Sequence, residues 1–231
     1  RVTGDPAGHR FPRPTEEGRL IHAETLAGVL GVRLTTGPAC RTQVTCEMPN
    51  PRFGERVPPD EVARVLDTGP ENLRLGDAGP QRVSCGFDHL VVPVADQQVM
   101  RGDLRGVDRV AALLDERGAA GLTLISTHTH APDVDFHCRF IHPGDRRSED
   151  VASGTCLAAA AAFAVTHGLV PAADSVRIHT EHGHSLGRPT RARLEVRMLD
   201  DRIHRVELSG CGTVVMRGSL QFQQLERRAR A

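Results

Sequence analysis

Residues 156–165 contain no charged side chain. A helix that is apolar on every side has no face for water and must lie inside something. Ala158 to Ala162 are strong helix formers, and Gly168 followed by Pro171 is a stop signal, so the pattern predicts a central helix over 154–167. Elsewhere the apolar period is mostly two. Strand-like segments run over 29–36 and 42–48, with a Gly37-Pro38 turn between them. Residues 82–94 read as one strand-like run, and 122–127 as another. Phe136, Cys138 and Phe140 alternate with His137, Arg139 and Ile141, which predicts a strand with one strongly apolar face. Val176, Ile178 and Thr180 alternate in the same way, as do Leu194, Val196 and Met198. These last join Ile203, Val206 and Leu208 across an Asp200-Asp201 turn. A last strand is expected over 213–220, and a short polar helix or tail over 222–230.

Two segments show the helical period instead. Residues 59–66 place Val62, Val65 and Leu66 on one face, with Asp60 and Glu61 in the first turn. Residues 107–117 carry Val107, Val110, Ala111 and Leu114, and Gly118 closes them. The first eighteen residues read as irregular. Residues 67–80 are rich in Gly and Pro and poor in apolar side chains, so they read as a linker with a domain boundary near Gly79. Many strands around one wholly apolar helix predict an α+β fold in which a sheet curls about that helix.

Composition narrows the function classes. The chain has 231 residues, enough for one large domain or two small ones. Its formal net charge of zero gives no basic field for nucleic acid. The six cysteines form no CxxC pair, and reduced, buried thiols are expected. No apolar run is long enough to span a membrane without counting the Ala-rich helix, and no signal peptide is read, so a soluble cytoplasmic protein is expected.

Three constellations could carry chemistry. Glu149 and Asp150 end a charged loop just before Ser153, Gly154 and Thr155, where the central helix starts. The first N–H groups of a helix have no intrahelical partner and face a positive local dipole. An acid beside such donors suits proton transfer next to a substrate carboxylate, the amides holding the negative end. The alternative is that Asp150 or Ser153 merely caps the helix. The second constellation is histidine: His128 and His130 with Asp133, and later His179, His182 and His184, with His137 and His142 between. An HxH pair with a nearby acid holds zinc in some metallohydrolases. The spacing here is HxHxxD, and these residues are taken as solvated turn and strand histidines with no metal assigned. The third is Cys156 in the first helical turn, taken as a small buried hydrophobe rather than an activated thiol.

Four segments, in order, carry a family resemblance. Gly86-Phe87-Asp88-His89-Leu90-Val91-Val92-Pro93-Val94 is similar to the strand that opens the second domain of the PhzF-like phenazine biosynthesis family. Arg139-Phe140-Ile141-His142-Pro143-Gly144, then Glu149-Asp150-Val151-Ala152-Ser153-Gly154-Thr155, resembles that family's signature before its buried helix. Glu181-His182-Gly183-His184-Ser185-Leu186-Gly187-Arg188-Pro189 is similar to its GRP element, and Gly210-Cys211-Gly212-Thr213-Val214-Val215-Met216-Arg217-Gly218 to its closing strand. These segments lie between 86 and 218, and the resemblance as a whole is taken to cover about 24–220.

The resemblance implies a diaminopimelate-epimerase-like fold of two similar domains, each a curled sheet around a central helix, with the site in the cleft between them. Residues 1–79, completed by the tail 221–231, would form a partial first domain, and 80–220 the second. It also implies a cofactor-independent isomerase or epimerase, usually a homodimer, that moves a proton on a small carboxylic acid by acid–base catalysis. Asp150 would take part in the proton relay, Ser153, Gly154 and Thr155 would cradle the substrate carboxylate, and Arg188 would contact substrate. A serine at 153, where related two-thiol epimerases place a cysteine, argues against thiol-based racemisation. The family's acid–base Glu and its Gly-His-Pro element have no match in the first part of the chain; Gly8-His9 is not followed by Pro-Thr. A catalytically incomplete ligand-binding homologue is therefore the alternative, with a zinc-dependent hydrolase as a third reading.

Overall fold

The computed structural model describes residues 14–36, 42–102, 104, 108–142 and 149–211. The expected strand over 213–220, the tail after it and the Gly8-His9 dipeptide lie outside them. In chain order the strands are β1 (Arg19–Thr25), β2 (Gly28–Thr35), β3 (Gln43–Met48), β4 (Arg52–Arg56), β5 (Gln81–Ser84), β6 (Asp88–Pro93), β7 (Gly121–Ser126), β8 (Phe136–Ile141), β9 (Glu149–Asp150), β10 (Ser175–His182), β11 (Thr190–Leu199) and β12 (Arg202–Cys211). The α-helices are α1 (Pro59–Leu66), α2 (Gln97–Arg101), α3 (Asp108–Glu116) and α4 (Gly154–Thr166). The strands form one mixed sheet in the order β1-β2-β3-β12-β11-β10-β8-β7-β6-β5-β4, with the short β9 paired to β8.

That sheet curls around α4, which touches β12, β11, β10, β8, β7, β6 and β5 in turn. The core inside the curl holds Leu157 to Ala164 of the helix together with Val83, Val91, Phe136, Cys138, Ile178, Leu194, Val196 and Val206 from the strands. No residue from Cys156 to Ala164 is more than 3% exposed, as a helix without a polar face requires. A second core lies on the outer face of β6, β7 and β8, where Leu90, Val92, Leu122, Leu124 and Ile141 meet α1, α2 and α3. Strand β8 carries the expected strongly apolar face in Phe136, Cys138 and Phe140, and its other face is buried as well. Alternation is still present, but its polar members, His137 and Arg139, are inside.

Local chemistry explains the element boundaries. Helix α1 starts at a proline, has Asp60 and Glu61 in its first turn, and ends where Asp67 turns left-handed at φ 54°. Strands β6 and β7 are parallel, and α2 and α3 supply the crossover that parallel pairing needs. The run read as one strand over 82–94 is a hairpin, β5 and β6, turning at Gly86 with φ 93°. Asp200 and Asp201 both have positive φ, 50° and 58°, as a tight turn between β11 and β12 demands. The stretch over 67–80 is packed rather than open: Leu73 and Ala78 are buried, and β4 pairs with β5. Cys211 is disulfide-bonded, a correction to the expectation of six reduced thiols; Cys46, Cys85, Cys138 and Cys156 are free.

Candidate active site

The N-terminus of α4 is built from a short two-strand contact. Asp150 lies opposite Phe140 and Glu149 opposite Ile141, which seats the start of the helix against β8. The next turn is held from the other side, where Thr190 Oγ1 donates to the Val151 carbonyl at 3.1 Å. Ser153 is the N-cap, its Oγ accepting from the Cys156 amide at 3.5 Å. Gly154 opens the helix beside Leu208: a Cβ there would stand 3.0 Å from the leucine Cδ2. Cap and packing therefore account for Ser153 and Gly154 locally, while the orphan N–H groups of the first turn remain oriented along the axis.

Thr155 is fixed more tightly than the sequence indicates. Its Oγ1 lies 3.1 Å from His89 Nε2, and His89 Nδ1 lies 3.0 Å from Thr123 Oγ1. His89 has no exposure, and burial pushes its imidazole down to about 4. A neutral imidazole has one donor and one acceptor nitrogen, so it orients both hydroxyls. Sequence reading passed over His89. The available signal was a lone polar residue inside an apolar strand, which obliges a partner.

Glu149 is held by Arg139. The guanidinium donates from Nε and Nη2 to the two carboxylate oxygens at 2.8 and 2.7 Å, and from Nη1 to the carbonyls of Met100 and Gly102. Ser185 also donates to Glu149. Burial raises the Glu149 carboxyl, but the hydrogen bonds from Arg139 and Ser185 outweigh it and hold the group below its usual range. Its neighbour Asp150 is exposed. His182 lies beside Glu149 and Asp150; burial lowers its imidazole, and both of its ring nitrogens are buried.

The expected residues divide as follows. Asp150, Ser153, Gly154 and Thr155 gather at the mouth of α4. Arg188 has an exposed side chain; its amide donates to the Gly183 carbonyl at 3.0 Å, closing the turn ahead of β11. Cys156 has no exposure, and burial pushes its thiol up to about 12, as a small buried hydrophobe should show. The histidines taken as solvated fall into two sets. His128 and His179 are exposed, but His137 and His182 are 4% and 1% exposed, because β8 and β10 are central strands. Among the described residues no helix is long and apolar enough to cross a membrane.

An acid on a strand end beside a capped helix mouth, with a neutral imidazole fixing one hydroxyl, could bind a small anion and move a proton near it. The chain is 27% identical over 165 residues to an uncharacterized isomerase of Mesorhizobium japonicum, covering 70% of this chain and 54% of that protein. It is 28% identical over 211 residues to an uncharacterized isomerase of Deinococcus radiodurans, covering 87% and 65%. It thus spans little more than half to two thirds of these relatives. The fold matches that of a Bacillus anthracis phenazine biosynthesis protein of the PhzF family, with a TM-score of 0.72 at 18% identity over 83% of this chain and 65% of that one. The model of the phenazine biosynthesis-like family matches residues 11–218, and the chain belongs to that family.

Proposed function

We propose that this chain is an isomerase or epimerase that moves a proton on a small carboxylic acid, without a cofactor, at the mouth of α4. The observation that carries the reading is the pairing of an exposed Asp150 on β9 with the capped N-terminus of the buried helix three residues on. In this reading the amides of Gly154 and Thr155 hold the substrate carboxylate, with Ser153 shaping the cap. Asp150 exchanges a proton with the adjacent carbon, and the partner acid comes from the opposite wall of a cleft. The two-domain organisation belongs to the same proposal: 1–79 with 221–231 as the partial first unit, 80–220 as the second, in a homodimer. Arg188 serves the turn and contacts substrate only if the cleft closes over it.

The chain in D2O, offered a panel of small carboxylic acids with an acidic α C–H, should incorporate deuterium into at least one. Asp150→Asn should abolish that incorporation while leaving the circular dichroism spectrum unchanged. Exchange retained in Asp150→Asn removes this residue from the mechanism. Binding without exchange in the parent chain favours the non-catalytic homologue.

A further inference from the structure

We propose that His130, Glu181 and His184 form a binding site for one divalent cation of the zinc class. One donor atom from each lies within 4.8 Å of the other two. The residues come from different parts of the chain. Glu181 lies near the end of β10, His184 opens the turn after Gly183, and His130 reaches across from the loop between β7 and β8. Gly183 makes the corner possible: its φ is 77°, and a Cβ would come within 2.3 Å of the Arg188 carbonyl oxygen.

The carboxylate is the first reason to expect a cation. Glu181 is 1% exposed, and a buried carboxylate requires a positive partner or saturating hydrogen bonds. It accepts the His130 backbone N–H, and among the described residues its ionic partner is His184 Nε2 at 3.3 Å, charged only when protonated. The second reason is independent. His137, 4% exposed, stands edge-on to His130 and His184 at ring distances of 5.1 and 5.4 Å, and its Nε2 is buried without a partner. Three imidazoles thus crowd one buried carboxylate, an arrangement that is costly without something to bind.

The donor set selects the ion. Two imidazoles and one carboxylate suit zinc, cobalt or nickel, whereas calcium and magnesium prefer all-oxygen shells. Zinc bonds of about 2.0–2.2 Å require donors to close to roughly 3.3 Å in a tetrahedron. The His130 and His184 rings are now stacked at 3.9 Å and 12°, so one must swing. His130 is exposed and free to do so, and its side gives the ion a route in. The open fourth position would take water or His137.

The HxHxxD motif is not this site. His128 is not one of the three residues, and Asp133 is engaged by Arg191 at 3.0 Å. Metal binding would clamp the β7–β8 loop to the β10 corner, and its free energy would add to folding stability. The site uses none of the residues assigned to proton transfer, and the two proposals stand or fall separately.

The test uses the full chain stripped with chelator. Zn2+ is titrated in competition with a chromophoric chelator, and Co2+ binding is followed by visible absorption. One equivalent should bind, with intense bands from low-coordinate cobalt and a higher melting temperature. His130→Ala and His184→Ala should each weaken binding at least tenfold, while His128→Ala and His179→Ala should not. Glu181→Gln is a buried change that risks the fold, so the exposed His130→Ala carries the decision. Stoichiometric binding that survives both His130→Ala and His184→Ala would overturn the assignment, as would a parent chain that binds no better than the double variant.

Discussion

Arg139 is a fully charged side chain at 1% exposure, and its energetics follow from what it touches. Both forks of the guanidinium are used, two donors on Glu149 and one shared by two carbonyls. Removing one partner leaves the other charge buried, which costs about 3–5 kcal/mol. Glu149→Ala should lose stability on that scale in urea unfolding, and a loss under 1 kcal/mol would contradict the account. The pair also sets a sign in acid. Because the folded Glu149 carboxyl is held below its unfolded value of 4.5, its stabilisation is present above that pH and disappears as pH falls through the folded value. His89 acts earlier. Its folded imidazole titrates at about 4 against 6.5 unfolded, so the unfolded chain binds the extra proton between those values. Stability should therefore fall as pH drops from 6.5 toward 4, by roughly 3 kcal/mol from this residue. His89→Gln should flatten that part of the curve, read from urea midpoints at several pH values.

Helix α4 was the element most legible in the sequence. Ten consecutive uncharged positions allow no exposed face, and the observed Gly154–Thr166 differs from the expected 154–167 by one residue. Its consequence is testable: Phe163 is fully buried, and Phe163→Ala should cost about 3–5 kcal/mol. Ser153→Ala, by contrast, removes only a cap and should cost about 1 kcal/mol. Strand edges were less legible. Strands β1 and β4 have exposed or half-exposed patterns with no strict alternation, so nothing in their periodicity announces them. The β5–β6 break was hidden because Cys85 is itself buried, leaving only Gly86 to mark the turn. Gly183→Ala should be more damaging than its size suggests, since the added Cβ meets two backbone carbonyls. Thermal melting that leaves this variant within 2 °C of the parent would refute that reading.

At the scale of the whole molecule, the family was legible because its motifs fall where chain direction changes. The motif that begins at Arg139 runs out of β8 at Ile141, Glu149 and Asp150 make β9, and Gly183 and Gly187 turn the chain into β11. The histidine cluster was not legible, because His130, Glu181 and His184 meet only through the β7–β8 loop and the end of β10. The mouth of α4 is seated by the pairing of β9 with β8, and the functional claim depends on that mouth receiving a carboxylate. The most direct measurement is an amide map: 15N–1H shifts of the labelled chain titrated with small carboxylic acids. The account predicts saturable shifts concentrated at Ser153, Gly154 and Thr155, retained in Asp150→Asn. Shifts absent from those three amides at saturating ligand would contradict it.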